Sequence, residues 1–190
     1  HTQFDAANQG IGSAVSDDGL TFTEESDLRI SAEDAGFDSG MPLSPGNVVP
    51  TSDGRYRMYF STLGWMNTGG LTAETIKSAV SDDLVTWTIE EGDRVGGAST
   101  ISGGEHPSAI VNPDGSVTLF YGRNINFALF YSTSADGLTF EKEERLIDAT
   151  LDSTFLPQPD GTLIGFIGQR DDTTGISSID RVVLEPVTDS

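Results

Sequence analysis

The chain has 190 residues, 36% of them hydrophobic and including ten Phe, four Tyr and two Trp, which suits one packed domain or a run of small repeats and argues against disorder. Thirty Asp and Glu oppose ten Lys and Arg, and a net charge of −20 repels phosphate backbones, so nucleic acid is excluded as a natural partner. Cys is absent, which removes disulfides, thiol nucleophiles and Cys-ligated metals, and no apolar window approaches the roughly 18 residues of a membrane span.

The acids are scattered through the turns, and Lys77 and Lys142 are the only lysines. Such a surface suits a secreted, periplasmic or cell-surface protein and a high-salt or marine setting. The chain begins at His1 without an initiator Met, which points to removal of a signal peptide, a tag or a further part of the gene product.

Two signatures alternate along the chain. The first is a strand from Ile11 that runs into Ser16-Asp17-Asp18-Gly19-Leu20-Thr21-Phe22. The second follows as an apolar run from Val48, the pair Asp53-Gly54, and an alternating run of Tyr56, Met58 and Phe60 against Arg55, Arg57 and Tyr59. Gly accepts positive φ without Cβ strain, so Asp-Gly between such runs predicts a hairpin, with Arg55 and Arg57 facing outward. Leu71 to Lys77, the one weak helical stretch, reads as loop entering a strand. The first signature then returns as Ile76 to Val80, Ser81-Asp82-Asp83 and Thr86-Trp87. The second recurs around Asp114-Gly115, the first as Ser134-Ala135-Asp136-Gly137-Leu138-Thr139-Phe140, and the second again around Asp160-Gly161. A last strand is expected within 176–187.

Each signature is a hairpin, so one unit of about 50 residues holds four antiparallel strands, the period and strand count of a β-propeller blade. A β-sandwich would not explain two interleaved repeats. The expected fold is therefore all-β, a propeller of three and a half to four blades in one domain, 1–190, with units near 1–44 (partial), 45–104, 105–151 and 152–190. Closed propellers typically have four to eight blades. The expectation is that the chain is a fragment, is completed by a second copy, or closes its N-terminal half blade against its last one.

The alternation of SDDGLTF with DGRYRMYFST resembles the bladed glycoside hydrolases of the arabinanase, xylosidase and invertase type, and bacterial propellers loosely called sialidase-like. A sialidase box places its Gly one residue later than Gly19 and Gly137 do. The resemblance implies carboxylates on or beside the innermost strands, one acting as base or nucleophile, one as acid and a third adjusting pKa. It also implies an Asp-Pro at an inner strand, where this chain has Ser44-Pro45 and His106-Pro107.

Three catalytic candidates follow: Glu105 as general acid, just ahead of an inner strand, with Asp38 and Asp152 in equivalent loops of the flanking units. His106, Arg123, Asn124 and Trp65 are candidate sugar contacts, Trp65 by stacking. No segment has the ligand spacing of a calcium loop, and two histidines, His1 and His106, exclude a His-rich zinc site within one chain. No cofactor is predicted, although the acidic turns are compatible with calcium or sodium. Two readings compete with the hydrolase: a non-catalytic carbohydrate-binding propeller that has lost its acids, and a propeller segment whose main property is assembly.

Overall fold

The computed structural model describes residues 2–5, 8–62, 74–96, 103–123, 128–148, 150–170, 174 and 177–185. The described residues form antiparallel β-structure without an α-helix, and no helix among them is long and apolar enough to cross a membrane. Among the described residues, four blade sheets and one two-stranded ribbon follow one another along the chain. Blade 1 pairs β1 (Thr2–Asp5), β2 (Asn8–Ile11) and β5 (Ile30–Ser31), beside a short ribbon of β3 (Ala14–Val15) and β4 (Thr23–Glu24). Blade 2 orders β6 (Leu43–Pro50), β7 (Tyr56–Thr62), β8 (Thr75–Ser81) and β10 (Val95–Gly96), with β9 (Thr88–Ile89) also on β8. Blade 3 runs β11 (Glu105–Val111), β12 (Val117–Arg123), β13 (Ala128–Ser134) and β14 (Glu144–Asp148). Blade 4 runs β15 (Thr150–Pro157), β16 (Leu163–Arg170) and β17 (Ser177–Leu184).

The first sheet corrects the sequence reading. The N-terminal unit was expected to be a half blade, yet β1 pairs with β2 from Thr2↔Ile11 to Asp5↔Asn8 and β2 with β5, a sheet of three strands. Residues 2–11 carry no turn signature of the Asp-Gly kind, so the hairpin had no local flag.

Both signatures form as their chemistry requires. In the second, Gly54, Gly115 and Gly161 take φ of 87°, 86° and 85°, each donating its amide to the carbonyl three residues back. The preceding Asp accepts from the residue two positions on, as when Asp114 Oδ1 takes the Ser116 amide at 2.9 Å and its hydroxyl at 2.6 Å. In the first, Asp136 Oδ1 accepts the amides of Leu138 and Thr139, both at 2.8 Å, while Ser134 Oγ donates to it at 2.9 Å. These bonds hold the Asp136 carboxyl down at about 2, through the amides of Thr139 and Leu138 and then the Ser134 hydroxyl.

The sheets pack face to face, so a middle blade buries both faces. Met58 and Phe60 of β7 join Ile11, Ile30 and Leu43 in a core between blades 1 and 2, against which Trp87 packs. Tyr59 faces the other way, into a core with Val117, Leu119 and Phe130 between blades 2 and 3, where Phe140 packs. Between blades 3 and 4, Phe120 stacks on Phe155 with centroids 4.0 Å apart. Each fully buried large side chain removes enough apolar surface to be worth about 1.5–3 kcal/mol.

Arg57 was expected to face outward and instead is buried. Its guanidinium forks onto Glu90, Nε to Oε2 at 2.8 Å and Nη2 to Oε1 at 2.9 Å, and Nη1 donates to the Asp136 carbonyl at 3.0 Å. The reason is tertiary: an alternating strand has a solvent face only when one side lacks a neighbour, and blade 3 covers this one. Beside it, the Tyr59 hydroxyl donates to the Gly137 carbonyl at 2.8 Å, and burial pushes the phenol up to about 12, so it stays a donor throughout the neutral range.

Candidate functional site

The inner strands β6, β11 and β15 pack side by side at one edge of their sheets. Each carries a break in register at a comparable place: Pro45 to Val48, Glu105 to Ser108 and Thr150 to Ser153. Such bulges re-aim side chains, and here they turn polar groups from successive blades toward one another. In β11 the bulge contains His106 at φ 51°, a left-handed conformation costing a residue with a Cβ about 1–2 kcal/mol. Pro107 follows it and brings no amide donor to the disrupted ladder.

Neighbouring contacts hold this conformation. The His106 amide donates to Ser61 Oγ at 3.2 Å. Asn47 of β6 grips the backbone of β11 twice, donating from Nδ2 to the Ala109 carbonyl and accepting the Ala109 amide on Oδ1, both at 2.7 Å. The two strands approach so closely at Gly46 that a Cβ there would run into the Pro107 carbonyl.

Around the imidazole lie groups from three inner strands. Nδ1 is 3.2 Å from Ser44 Oγ and 3.5 Å from Asp152 Oδ1, while Nε2 is 3.9 Å from Glu105 Oε2. One imidazole thus spans the gap between two carboxyl groups, which sets them at most about 10 Å apart, within reach of the carboxylate pairs of glycoside hydrolysis. Glu105 is fully buried, His106 is half-buried and Asp152 is exposed.

Of the expected catalytic set, the structure brings together Glu105 and Asp152, both within strands rather than ahead of them. It does not bring in Asp38, which is exposed in the turn before β6; its carbonyl accepts the Met41 amide at 2.9 Å, and its side chain has no hydrogen bond or ion pair to the other two. His106 joins them. Arg123, at the end of β12, follows Gly122, which pairs with Glu105. Its Nη2 lies 2.5 Å from Glu143 Oε2, the oxygen that also accepts the Tyr121 hydroxyl at 2.7 Å, and its guanidinium sits over Phe130. Burial, then the Glu143 bond, pushes the Tyr121 phenol well above its usual range. Trp65 and Asn124 lie outside the described residues.

Ser44, Ser61 and Asn47 were not anticipated as site residues. Ser44 alone had a signal, since Ser44-Pro45 lines up in sequence with His106-Pro107; strand pairing shifts that match by one, because Ser44 pairs with Ser61 and Glu105 with Gly122. Among the described residues no group of three or more His, Asp and Glu is arranged to hold a metal ion.

No family model and no curated protein sequence matches the chain. Solved structures do. An exo-β-1,3-galactanase from Clostridium thermocellum superposes with a TM-score of 0.68 at 13% identity, over 94% of this chain and 44% of that one. The fold is that of the bladed glycoside hydrolases. An α-L-arabinofuranosidase from the same organism gives a TM-score of 0.68 at 16% identity, over 94% and 59% of the two chains. An α-L-arabinanase from Penicillium chrysogenum, complexed with arabinobiose, gives 0.60 at 19%, over 94% and 56%. The chain thus spans about half the length of these propellers.

Proposed function

We propose that the chain is a carbohydrate-active propeller whose sugar site is built on His106, Glu105 and Asp152, and that it acts as a glycoside hydrolase on a poly- or oligosaccharide. The observation that carries this reading is the convergence of two carboxyl groups on one imidazole at the inner strands of adjacent blades. In the reaction, Glu105 protonates the leaving glycosidic oxygen while the Asp152 carboxylate, on the exposed side, activates water or attacks the anomeric carbon. His106 holds the two acids in register and offers its ring edge to sugar hydroxyls. Likeness to hydrolases that act on galactans and arabinans supports the substrate class.

The enclosure of Glu105 favours a second reading, a carbohydrate-binding propeller that presents His106 and Asp152 but does not turn substrate over. One experiment separates them: turnover of aryl glycosides and of galactan and arabinan, run with calorimetric binding, on the native chain and on Glu105→Gln and Asp152→Asn. The hydrolase predicts turnover that falls at least about 100-fold in each variant while binding survives. Binding without turnover selects the second reading. Neither binding nor turnover removes both.

A further inference from the structure

The interface between blades 2 and 3 has two halves, and blades 1 and 4 each expose a counterpart of one of them. Between blades 2 and 3, the β7 face of blade 2 is the receiver and the Ser134–Phe140 turn of blade 3 is the insert. Arg57 and Arg94 donate to the carbonyls of Asp136 and Leu138 at 3.0 and 2.9 Å, and Phe140 meets Tyr59 edge to face at 5.9 Å.

Strand pairing carries the receiver to the last blade. Pro50↔Tyr56, Val111↔Val117 and Pro157↔Leu163 close the three inner hairpins, so Val49, Ile110 and Leu156 are counterparts, as are Tyr59, Phe120 and Phe166. Val49 and Ile110 are each 6% exposed and Tyr59 0%, whereas Leu156 is 51% exposed and Phe166 39%. Ile164 and Val183 lie across from Leu156 on the same face, and Ile179 and Arg181 stand further along it. Arg181, paired directly opposite Phe166, supplies a cation to this face as Arg57 does to its counterpart. The result is an apolar receiver on which none of the described residues packs a turn as Ser134–Phe140 does on blade 2.

The first blade holds the insert. Its turn is folded as in blade 3, with Asp18 Oδ1 accepting the amides of Leu20 and Thr21 at 2.8 Å each, but Leu20 is 87% exposed and Phe22 62%. The Leu138 carbonyl and the Phe140 ring, the matching groups of blade 3, are lodged against blade 2.

We infer that the blade 4 face receives the blade 1 turn of a second copy of this chain, head to tail. Leu20 and Phe22 lie over Leu156, Phe166 and Val183, and Arg181 donates to the turn carbonyls. Continuity with the internal interface specifies the occupant: the receiver repeats a face that already binds this turn, and the turn repeats one that already binds this face. The contact is heterologous, so copies add in one direction until a ring closes or a filament grows. At −20 per copy, mutual repulsion opposes it, and salt strengthens it by screening. The sugar site plays no part in the contact.

The test is the mass of the full chain in solution, by light scattering from about 1 to about 500 µM in low and high salt. The expected result is a mass that climbs above 20.2 kDa with concentration, and climbs further in salt. Leu20→Ser with Phe22→Ser removes the insert, and Leu156→Ser with Phe166→Ser removes the receiver; either variant alone stays at 20.2 kDa, with unchanged circular dichroism because the residues are exposed. Mixed, the two variants keep one working half each and form a species of twice that mass and no larger. A constant monomer mass for the native chain overturns the inference, as do variants that still associate and a mixture that does not pair.

Discussion

The turns Ser16–Phe22 and Ser134–Phe140 are nearly the same object in two settings. In both, the Ser hydroxyl lies 2.9 Å from Asp Oδ1 and accepts the Gly amide at 2.9 Å, and the same carboxylate oxygen takes two further amides at 2.8 Å. Gly19 and Gly137 share the same conformation, at φ 71° and 72°. Yet the second turn is wedged under Arg57 and Tyr59, and the first projects into solvent. The turn is closed by bonds within seven residues; its docking depends on the blade beside it. Energy that differs between the two turns is therefore docking energy, and energy that they share belongs to the turn.

Removal of the aromatic gives the widest split. Phe140→Ala should cost about 2–3 kcal/mol by opening a cavity between blades 2 and 3, lowering Tm by roughly 5–10 °C, while Phe22→Ala, measured at a dilution where the chain is monomeric, changes Tm little. Equal shifts in calorimetry would mean that the inter-blade packing contributes nothing distinctive. The glycines sharpen the point, because their backbone strain is the same. Gly19→Ala meets no atom within 4 Å and should cost only the left-handed penalty of about 1 kcal/mol. Gly137→Ala runs into the Arg57 guanidinium and the Tyr59 hydroxyl as well, so denaturant titration should show about 3 kcal/mol.

The smallest effect is one that both turns share. Asp136 and Asp83 are held down at about 2 chiefly by backbone amides, and Asp18 is lowered by the same kind of bonds. A carboxyl with a folded pKa below its unfolded value of about 3.9 stabilises the fold above that pH, and the contribution fades as pH falls through the folded value. Melting temperature should thus decline between about pH 4 and pH 2 through these turns, and Asp136→Asn and Asp18→Asn should each flatten that slope by a similar small amount. A larger flattening for Asp136→Asn would tie the acid response to docking instead.

Blade structure was largely legible from the residues, because Asp-Gly and Ser-x-Asp encode their hairpins through bonds made within a few positions. Arg57 shows where that legibility stops: its alternation with Met58 and Phe60 describes a strand correctly but cannot say that a second sheet covers the charged side. The candidate site shows the same limit. Glu105, Asp152 and His106 were expected beside inner strands and the structure places them there, whereas Asp38, chosen by the same reasoning, stays in an exposed turn.

By itself, then, the sequence determined the repeat, the turns and the residue types available for chemistry, since these depend on local hydrogen bonds and on periodicity. Only the tertiary structure decided which faces are buried, which turn is docked, and that Ser44 and His106, 62 positions apart, meet beside Asp152. That convergence arises from register breaks in three separate strands and from the close approach of β6 to β11 at Gly46, and no local pattern of residues specifies how neighbouring sheets align.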